Sequence, residues 1–210
     1  NDEMRAWKTL HAIAYKCLGL KRDDVMRTPD WRHFAHANGY VFSAFAITMQ
    51  RPTEAANEHD SILLAYHYAK NTGQTDWQAV LEQLGLQFHH EALETFEKTL
   101  AAFKRDREHP LVDFDDMLIN AVRDHAVPTG ITHLVVDESQ DLSPIQLRYI
   151  KQIVEANEIE ELVMAGDPAQ AIYTYAGASP DLLKDFPFDE TVQLTQSHRL
   201  PDQIATFSRA

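Results

Sequence analysis

Apolar residues recur at helical spacing through the first hundred positions of the chain. Between Trp7 and Leu20, the residues Leu10, Ile13, Ala14, Cys17 and Leu18 share one helical face, and Gly19 and Lys21 end the pattern. Positions 61–72 (SILLAYHYAKNT) form a short helix closed by Gly73. Positions 76–84 repeat the design, with Trp77, Val80, Leu81 and Leu84 on one face, Asp76 as N-cap and Gly85 just past the end. Phe88, Ala92, Phe96, Leu100 and Phe103 mark a long amphipathic helix that runs out in the charged stretch 104–108 (KRDRE). This aromatic stripe reads as core material rather than as a ligand site. Residues 21–60 show a weaker period, and the pattern assigns no structure to 50–60.

From residue 110 the period changes. The run 131–136 (ITHLVV) is short, apolar and partly β-branched, as expected of a strand buried on both faces. It stops abruptly in polar residues. Ser143-Pro144 then starts a helix, an N-cap followed by proline at the first helical position, with Ile145, Tyr149, Ile150, Ile153 and Val154 as its buried face. Residues 162–165 (LVMA) form a second buried strand, stopped by Gly166-Asp167. Ser179-Pro180 starts another short helix, residues 191–195 read as a third strand, and Pro201 opens a last helix. Alternating strands and helices with short connections imply a parallel α/β sheet, whose ligands sit beyond the carboxyl ends of the strands. Both polar breaks, 137–141 and 166–170, fall at such ends.

Composition narrows the class. A chain of 210 residues with 44% hydrophobic and 24% charged residues is globular and long enough to build a core without staples. The single cysteine, Cys17, excludes a disulfide framework and a four-cysteine zinc site. No apolar run approaches the roughly 18 residues of a membrane span, and Asn1-Asp2-Glu3 lacks signal-peptide character. The expectation is a soluble protein of a reducing compartment with no membrane partner. Because position 1 is not Met, the chain is also expected to be a piece cut from a longer one. The net charge of −13 argues against whole-surface attraction to nucleic acid. Residues 1–110 carry 13 Lys and Arg against 15 Asp and Glu, whereas residues 111–210 carry 6 against 17. The acidic half serves either solubility or a divalent cation, and any nucleic-acid contact must be local.

The sharpest segment is 134–141 (LVVDESQD). A buried strand that delivers two adjacent carboxylates at its carboxyl tip has the Walker B arrangement. Asp137 would hold Mg²⁺, directly or through water, and Glu138 would orient or deprotonate the water attacking a γ-phosphate. The bland alternative is an acidic turn after a strand. At the second strand end, residues 165–178 (AGDPAQAIYTYAGA), Gly166 allows a turn and Gln170 offers a neutral donor able to sense a phosphate oxygen. Tyr175 suits stacking on an unpaired base, though it and Tyr173 equally fit core or turn roles.

Three segments, 137–146 (DESQDLSPIQ), 166–179 (GDPAQAIYTYAGAS) and 194–199 (LTQSHR), resemble motifs II, III and IV of the UvrD/Rep-type DNA helicases, in that family's order and spacing. Residues 9–14 (TLHAIA) are similar to its TxH motif, and 113–118 (DFDDML) to its DFDDLL segment. The resemblance implies an α/β fold: a RecA-like P-loop NTPase parallel sheet flanked by helices, with an inserted all-α subdomain. On that map residues 1–20 start the motor domain and 21–108 form the inserted helical subdomain. Residues 109–190 complete the motor domain, and 191–210 begin a second motor domain or a linker. The implied activity is movement on DNA, in repair or replication, coupled to hydrolysis of ATP with Mg²⁺. The implied partner is single-stranded DNA or a single/double-strand junction, and the implied location is the cytoplasm, on the nucleoid if the source is bacterial. Asp137 is then the metal ligand, Glu138 the catalytic base, Gln170 the γ-phosphate sensor and Arg199 a cation for the transferring phosphoryl group. Thr9, His11 and Tyr175 fall on DNA-contacting positions.

The departures matter too. His198 stands where the family usually has an adenine-stacking tyrosine, and Ala176 replaces an arginine after the stacking aromatic. No GxxxxGKS or GxxxxGKT loop occurs in the 210 residues, so this chain is expected to be inactive alone. Two rival readings remain open at this point. One is a DNA- or partner-binding remnant without catalysis. The other is a metal-dependent nuclease built on Asp113, Asp115, Asp116, Asp137 and Asp141, of which the first three could equally line a solvated loop.

Overall fold

The computed structural model describes residues 7–49, 55–106, 108, 110–174, 177–178, 181 and 186–194. Among the described residues eight α-helices and two strands follow in order: α1 (Leu10–Cys17), α2 (Thr28–Asn38), α3 (Ala44–Met49), α4 (Glu58–Thr72), α5 (Trp77–Leu84), α6 (His90–Arg105), α7 (Phe114–Arg123), β1 (His133–Val136), α8 (Pro144–Glu155) and β2 (Glu161–Met164). The fold is thus helix-rich with a small parallel sheet. The predicted helix starts at Ser179 and Pro201 lie outside the described residues.

Local chemistry sets the helix ends. Asp76 Oδ1 accepts from the N–H groups of Gln78 and Ala79 at 3.0 and 3.2 Å, satisfying two donors that the first turn of α5 leaves open. Gly85 closes the same helix at φ +64°, a conformation costly for any residue with a Cβ. Helix α4 begins a turn earlier than the apolar pattern suggests, because Asn57 accepts from Asp60 N–H and caps it. Helix α2, unassigned by the period, carries a start signal after all: Thr28-Pro29-Asp30, with Asp30 accepting from Arg27 N–H at 3.0 Å, and Gly39 just past its end.

Two apolar clusters result. Helices α2 to α6 bury Trp31, Phe34, Leu63, Phe96 and Leu100 among others, and the aromatic stripe of α6 is indeed core. Helices α1, α7 and α8 bury Ala14, Leu118, Ala121, Tyr149 and Ile153 in a second cluster. The strand of chain entering the first cluster and the one leaving it run side by side: Val25 and Val112 form a parallel bridge, with Met26 N donating to Val112 O at 2.9 Å and Val112 N to Asp24 O at 2.8 Å.

Strands β1 and β2 pair in parallel, His133 opposite Glu161 through Val136 opposite Met164, with α8 as the crossover. Burial on both faces is not what the structure gives. Exposure alternates along both strands: Leu134 packs on the second apolar cluster, while Val135 and Val163 are 61% and 42% exposed on the opposite face. Among the described residues, helices cover one face of this two-stranded sheet and leave Val135 and Val163 exposed on the other. The third predicted strand also fails, since residues 191–194 join no ladder and Val192 and Leu194 are exposed. Without a partner, β-branched residues alone do not make a strand. Thr195 lies outside the described residues.

The two clusters meet through ions. Lys104, the first residue of the charged stretch in which the α6 pattern runs out, is 6% exposed; its ammonium donates to Asp113 at 2.5 Å, Asp116 at 2.6 Å and the Tyr66 hydroxyl at 3.2 Å, using all three hydrogens. Tyr66 in turn donates to Asp113 at 3.2 Å. Asp115 is matched by His67 Nδ1, which donates to it, and by Asn71 Nδ2 at 2.9 Å. The first turn of α7 is therefore a buried, paired cluster and not a solvated loop, which takes Asp113, Asp115 and Asp116 out of the nuclease reading: their oxygens are already occupied. Burial opposes ionisation of Asp113, yet the Lys104 ammonium and the Asp116 N–H hold its carboxyl down at about 2. Burial likewise opposes charge on Lys104, and Asp113 and Asp116 override it to raise its pKa.

Truncating Lys104 to Met leaves a buried carboxylate unpaired and is expected to cost about 3–5 kcal/mol in urea unfolding. Stability is also expected to fall in acid. Asp113 titrates below its usual value of 3.8, so its contribution, on the order of 2 kcal/mol, is complete above about pH 4 and lost as pH drops toward 2. Unfolding free energies measured from pH 6 to 2 check this, and Asp113→Asn should flatten that dependence.

Candidate functional site

Adjacent parallel strands end side by side, so the turns that follow them must meet. Here those turns carry both polar segments singled out from sequence. Ala165 N donates to Val136 O at 2.8 Å and Ser139 N to Ala165 O at 2.9 Å, extending the ladder one step past each strand. Asp137 and Glu138 are exposed at the tip of β1, and Glu138 N donates to Asp137 Oδ1 at 3.0 Å. Glu138 sits in the left-handed region at φ +52°, ψ +41°, a strained state for a residue with a side chain. A tight 3₁₀ turn, Ser139–Asp141, follows.

Gly166 explains how close the turns come. A Cβ on it would lie 2.5 Å from Gln140 Oε1, 2.6 Å from Ser139 Oγ and 3.0 Å from Gln140 N. Its role is this approach, not the turn that the sequence suggested. The contact lets one amide bridge the two segments. Gln140 is 1% exposed; its Nε2 donates to Glu138 Oε2 at 2.7 Å, and its Oε1 accepts from Asp167 N at 3.0 Å. Asp167 caps the next turn, accepting from Ala169 N at 3.0 Å and from Gln170 Nε2 at 2.6 Å. Asp141 Oδ1 accepts from Ile172 N at 3.3 Å. An unbroken run of hydrogen bonds thus joins Glu138, Gln140, Asp167 and Gln170. The structure brings Asp137, Glu138 and Gln170 to one sheet edge, and Gln140, which sequence placed in the motif without a task, connects them.

The other candidates divide. Thr9 caps α1, its hydroxyl accepting from Ala12 N at 3.2 Å, and His11 lies against Phe114 at the start of α7, with ring centroids 5.3 Å apart. Tyr175, His198 and Arg199 lie outside the described residues. Behind the edge, Ser143, which precedes α8, donates to Asn71 Oδ1 at 3.4 Å and ties the motif to α4. Farther along the second segment, a Cβ on Gly177 (φ +91°) would meet Thr72 Cγ2 at 2.7 Å, so this loop also closes on the end of α4. Sequence gave no hint of Asn71, because a buried Asn inside a helix has no period of its own.

For a cation, the edge offers the exposed Asp137 carboxylate, one oxygen of which accepts from the Glu138 N–H while the other takes no hydrogen bond from it. Among the described residues no cluster of three or more His, Cys, Asp or Glu could cage a metal. That donor set suits Mg²⁺, which keeps most of its water and takes one or two carboxylates plus phosphate oxygens.

A family model described as the UvrD/REP helicase N-terminal domain matches residues 3–190. The chain is 33% identical over 110 residues to the ATP-dependent DNA helicase UvrD2 of Mycobacterium tuberculosis H37Rv, a stretch that covers 47% of this chain and 15% of that protein. It is 30% identical over 131 residues to the ATP-dependent DNA helicase Rep of Buchnera aphidicola (subspecies Schizaphis graminum), covering 54% and 20%. It is 29% identical over 116 residues to a Bacillus subtilis protein named putative ATP-dependent DNA helicase YjcD, covering 49% and 15%. The chain spans a fifth or less of the length of these relatives.

Substituting Gly166 by Ala is expected to force Gln140 and Ser139 aside and cost about 1–3 kcal/mol in urea unfolding, with helical circular dichroism unchanged.

Proposed function

The chain belongs to the UvrD/Rep helicase family, whose N-terminal domain it matches, and from that membership we propose that it contributes most of the first ATP-hydrolysing motor domain of a DNA helicase or translocase. On this proposal α1, α7, α8 and the sheet form a RecA-like motor domain, and residues 21–108 form a helical subdomain inserted into it. The supporting observation is the continuous hydrogen-bonded edge from Glu138 to Gln170 at the carboxyl ends of two parallel strands, the place where such sheets bind ligands.

Asp137 is the residue to hold Mg²⁺, which supplies charge neutralisation for the phosphates when bound. Glu138, fixed in its left-handed turn, orients the attacking water and accepts its proton. Gln170 donates its neutral amide to the γ-phosphate and so distinguishes triphosphate from diphosphate. Arg199 neutralises charge that grows on the transferring group, and His198 contacts the base more weakly than a tyrosine. Thr9, His11 and Tyr175 meet single-stranded DNA, Tyr175 by stacking at roughly 1–3 kcal/mol per base. The glycine-rich lysine loop that cradles β- and γ-phosphates is absent from these 210 residues, so on this proposal the full cycle requires chain beyond them. Closure on ATP and reopening after hydrolysis then alternate the grip on the strand.

Glu138→Gln in the full-length protein is expected to lower steady-state ATP turnover by about a hundredfold or more while leaving binding of a fluorescent ATP analogue intact. Near-normal turnover by this variant would remove Glu138 from the role of base.

A further inference from the structure

Gln140 is the most completely buried polar side chain at the proposed site, 1% exposed, yet no step of ATP hydrolysis as described above uses it. We propose that Gln140 is a positioning residue, whose amide sets the orientation of the Glu138 carboxylate and transmits to it the state of the turn that carries Gln170. This inference rests on the reading of Glu138 as the base.

The chemistry of the partners leaves the amide one orientation. An ionised carboxylate only accepts and a backbone N–H only donates, so Nε2 must face Glu138 Oε2 at 2.7 Å and Oε1 must face Asp167 N at 3.0 Å. A flipped amide would set oxygen against oxygen and N–H against N–H. Gly166 completes the fit: with no Cβ it lets Oε1 occupy space 2.5 Å from where that atom would stand. The carboxylate of an exposed glutamate is ordinarily free to rotate. Here one of its oxygens is held by a donor with no freedom of its own, which leaves Oε1 for the water. Asp167 is also the residue that Gln170 Nε2 donates to, at 2.6 Å. A movement of the Gln170 turn toward a phosphate therefore shifts Asp167 N, and Gln140 passes that shift to Glu138 over two hydrogen bonds.

The test is steady-state ATP hydrolysis in the full-length protein with single-stranded DNA, over pH 5.5–9, for Gln140→Met and Gln140→Glu beside wild type and Glu138→Gln. Met keeps the volume but not the hydrogen bonds; the expected result is kcat down about tenfold or more with KM for ATP within about threefold, the pattern of an interaction made in the transition state. Glu places a like charge against the base, so the acid limb of the kcat profile should move about one pH unit upward. A merely structural role does not move that limb. Should Met disturb folding, seen as a lowered thermal midpoint, the Glu profile and Gly166→Ala, which crowds the amide without replacing it, carry the test; Gly166→Ala should lower kcat in the same direction. Wild-type kcat and an unmoved acid limb in the Gln140 variants, with Glu138→Gln dead, overturn the positioning role alone. Full turnover by Glu138→Gln overturns the base assignment and this inference with it.

Discussion

Three carboxylates crowd the first turn of α7, and the placement of everything around them depends on their being paired. A helix N-terminus favours negative charge, but only modestly when solvent is near. Buried, Asp113 and Asp115 carry desolvation penalties that complete pairing alone offsets. Lys104 from α6 spends its three hydrogens on Asp113, Asp116 and Tyr66, and His67 and Asn71 from α4 take both oxygens of Asp115. A hydrophobic interface tolerates sliding, whereas this one fixes α4 and α6 against α7 to within hydrogen-bond tolerance. The same α4 residue that pairs Asp115, Asn71, also receives Ser143, two residues past Asp141. The acidic strand end is thus held from the front by the neighbouring strand and from behind by the helical cluster.

At the front, the constraint is space. The turns after β1 and β2 approach closely enough that a methyl group on Gly166 could not be placed, and polar groups shut in by that contact must find partners with each other. The Gln140 amide and the Asp167 N–H do so. The strained backbone at Glu138 persists because the Ser139–Ala165 bond and the Gln140 amide over-determine it.

Much of this was legible in the chain. The helices with a strong stripe and clear punctuation, α5 above all, match the expected positions almost residue for residue, and both strands and the Ser143-Pro144 helix start fall where their patterns put them. The two acidic or amide-bearing strand ends were found because a strand's abrupt stop in polar residues is a local signal. What was missed is non-local. A lysine in a charged run and three aspartates before an amphipathic stretch look solvated until folding brings Lys104 within reach of Asp113, nine positions further along the chain. The expectation of strands buried on both faces failed for a related reason: ITHLVV states that the residues are apolar, but how many layers cover them is a property of the assembled sheet.

The bond between Gln170 and Asp167 bears on how such an edge could respond to a nucleotide. Gln170 is exposed, and its amide already donates to a charged acceptor at 2.6 Å. Under the proposed role, a γ-phosphate oxygen offers it a second charged acceptor, so the exchange trades one charge-assisted hydrogen bond for another and its net free energy is small beside either bond. A near-balanced exchange is what a sensor needs, because a donor locked too firmly at rest would ignore the phosphate and one left loose would gain no selectivity from it. The carboxylate released by that exchange still caps its own turn through Ala169 N, so the loop need not unfold to respond. Stored strain at Glu138, a buried amide at Gln140 and an exchangeable bond at Gln170 therefore form a graded series: fixed nearest the proposed chemistry and exchangeable nearest the proposed ligand.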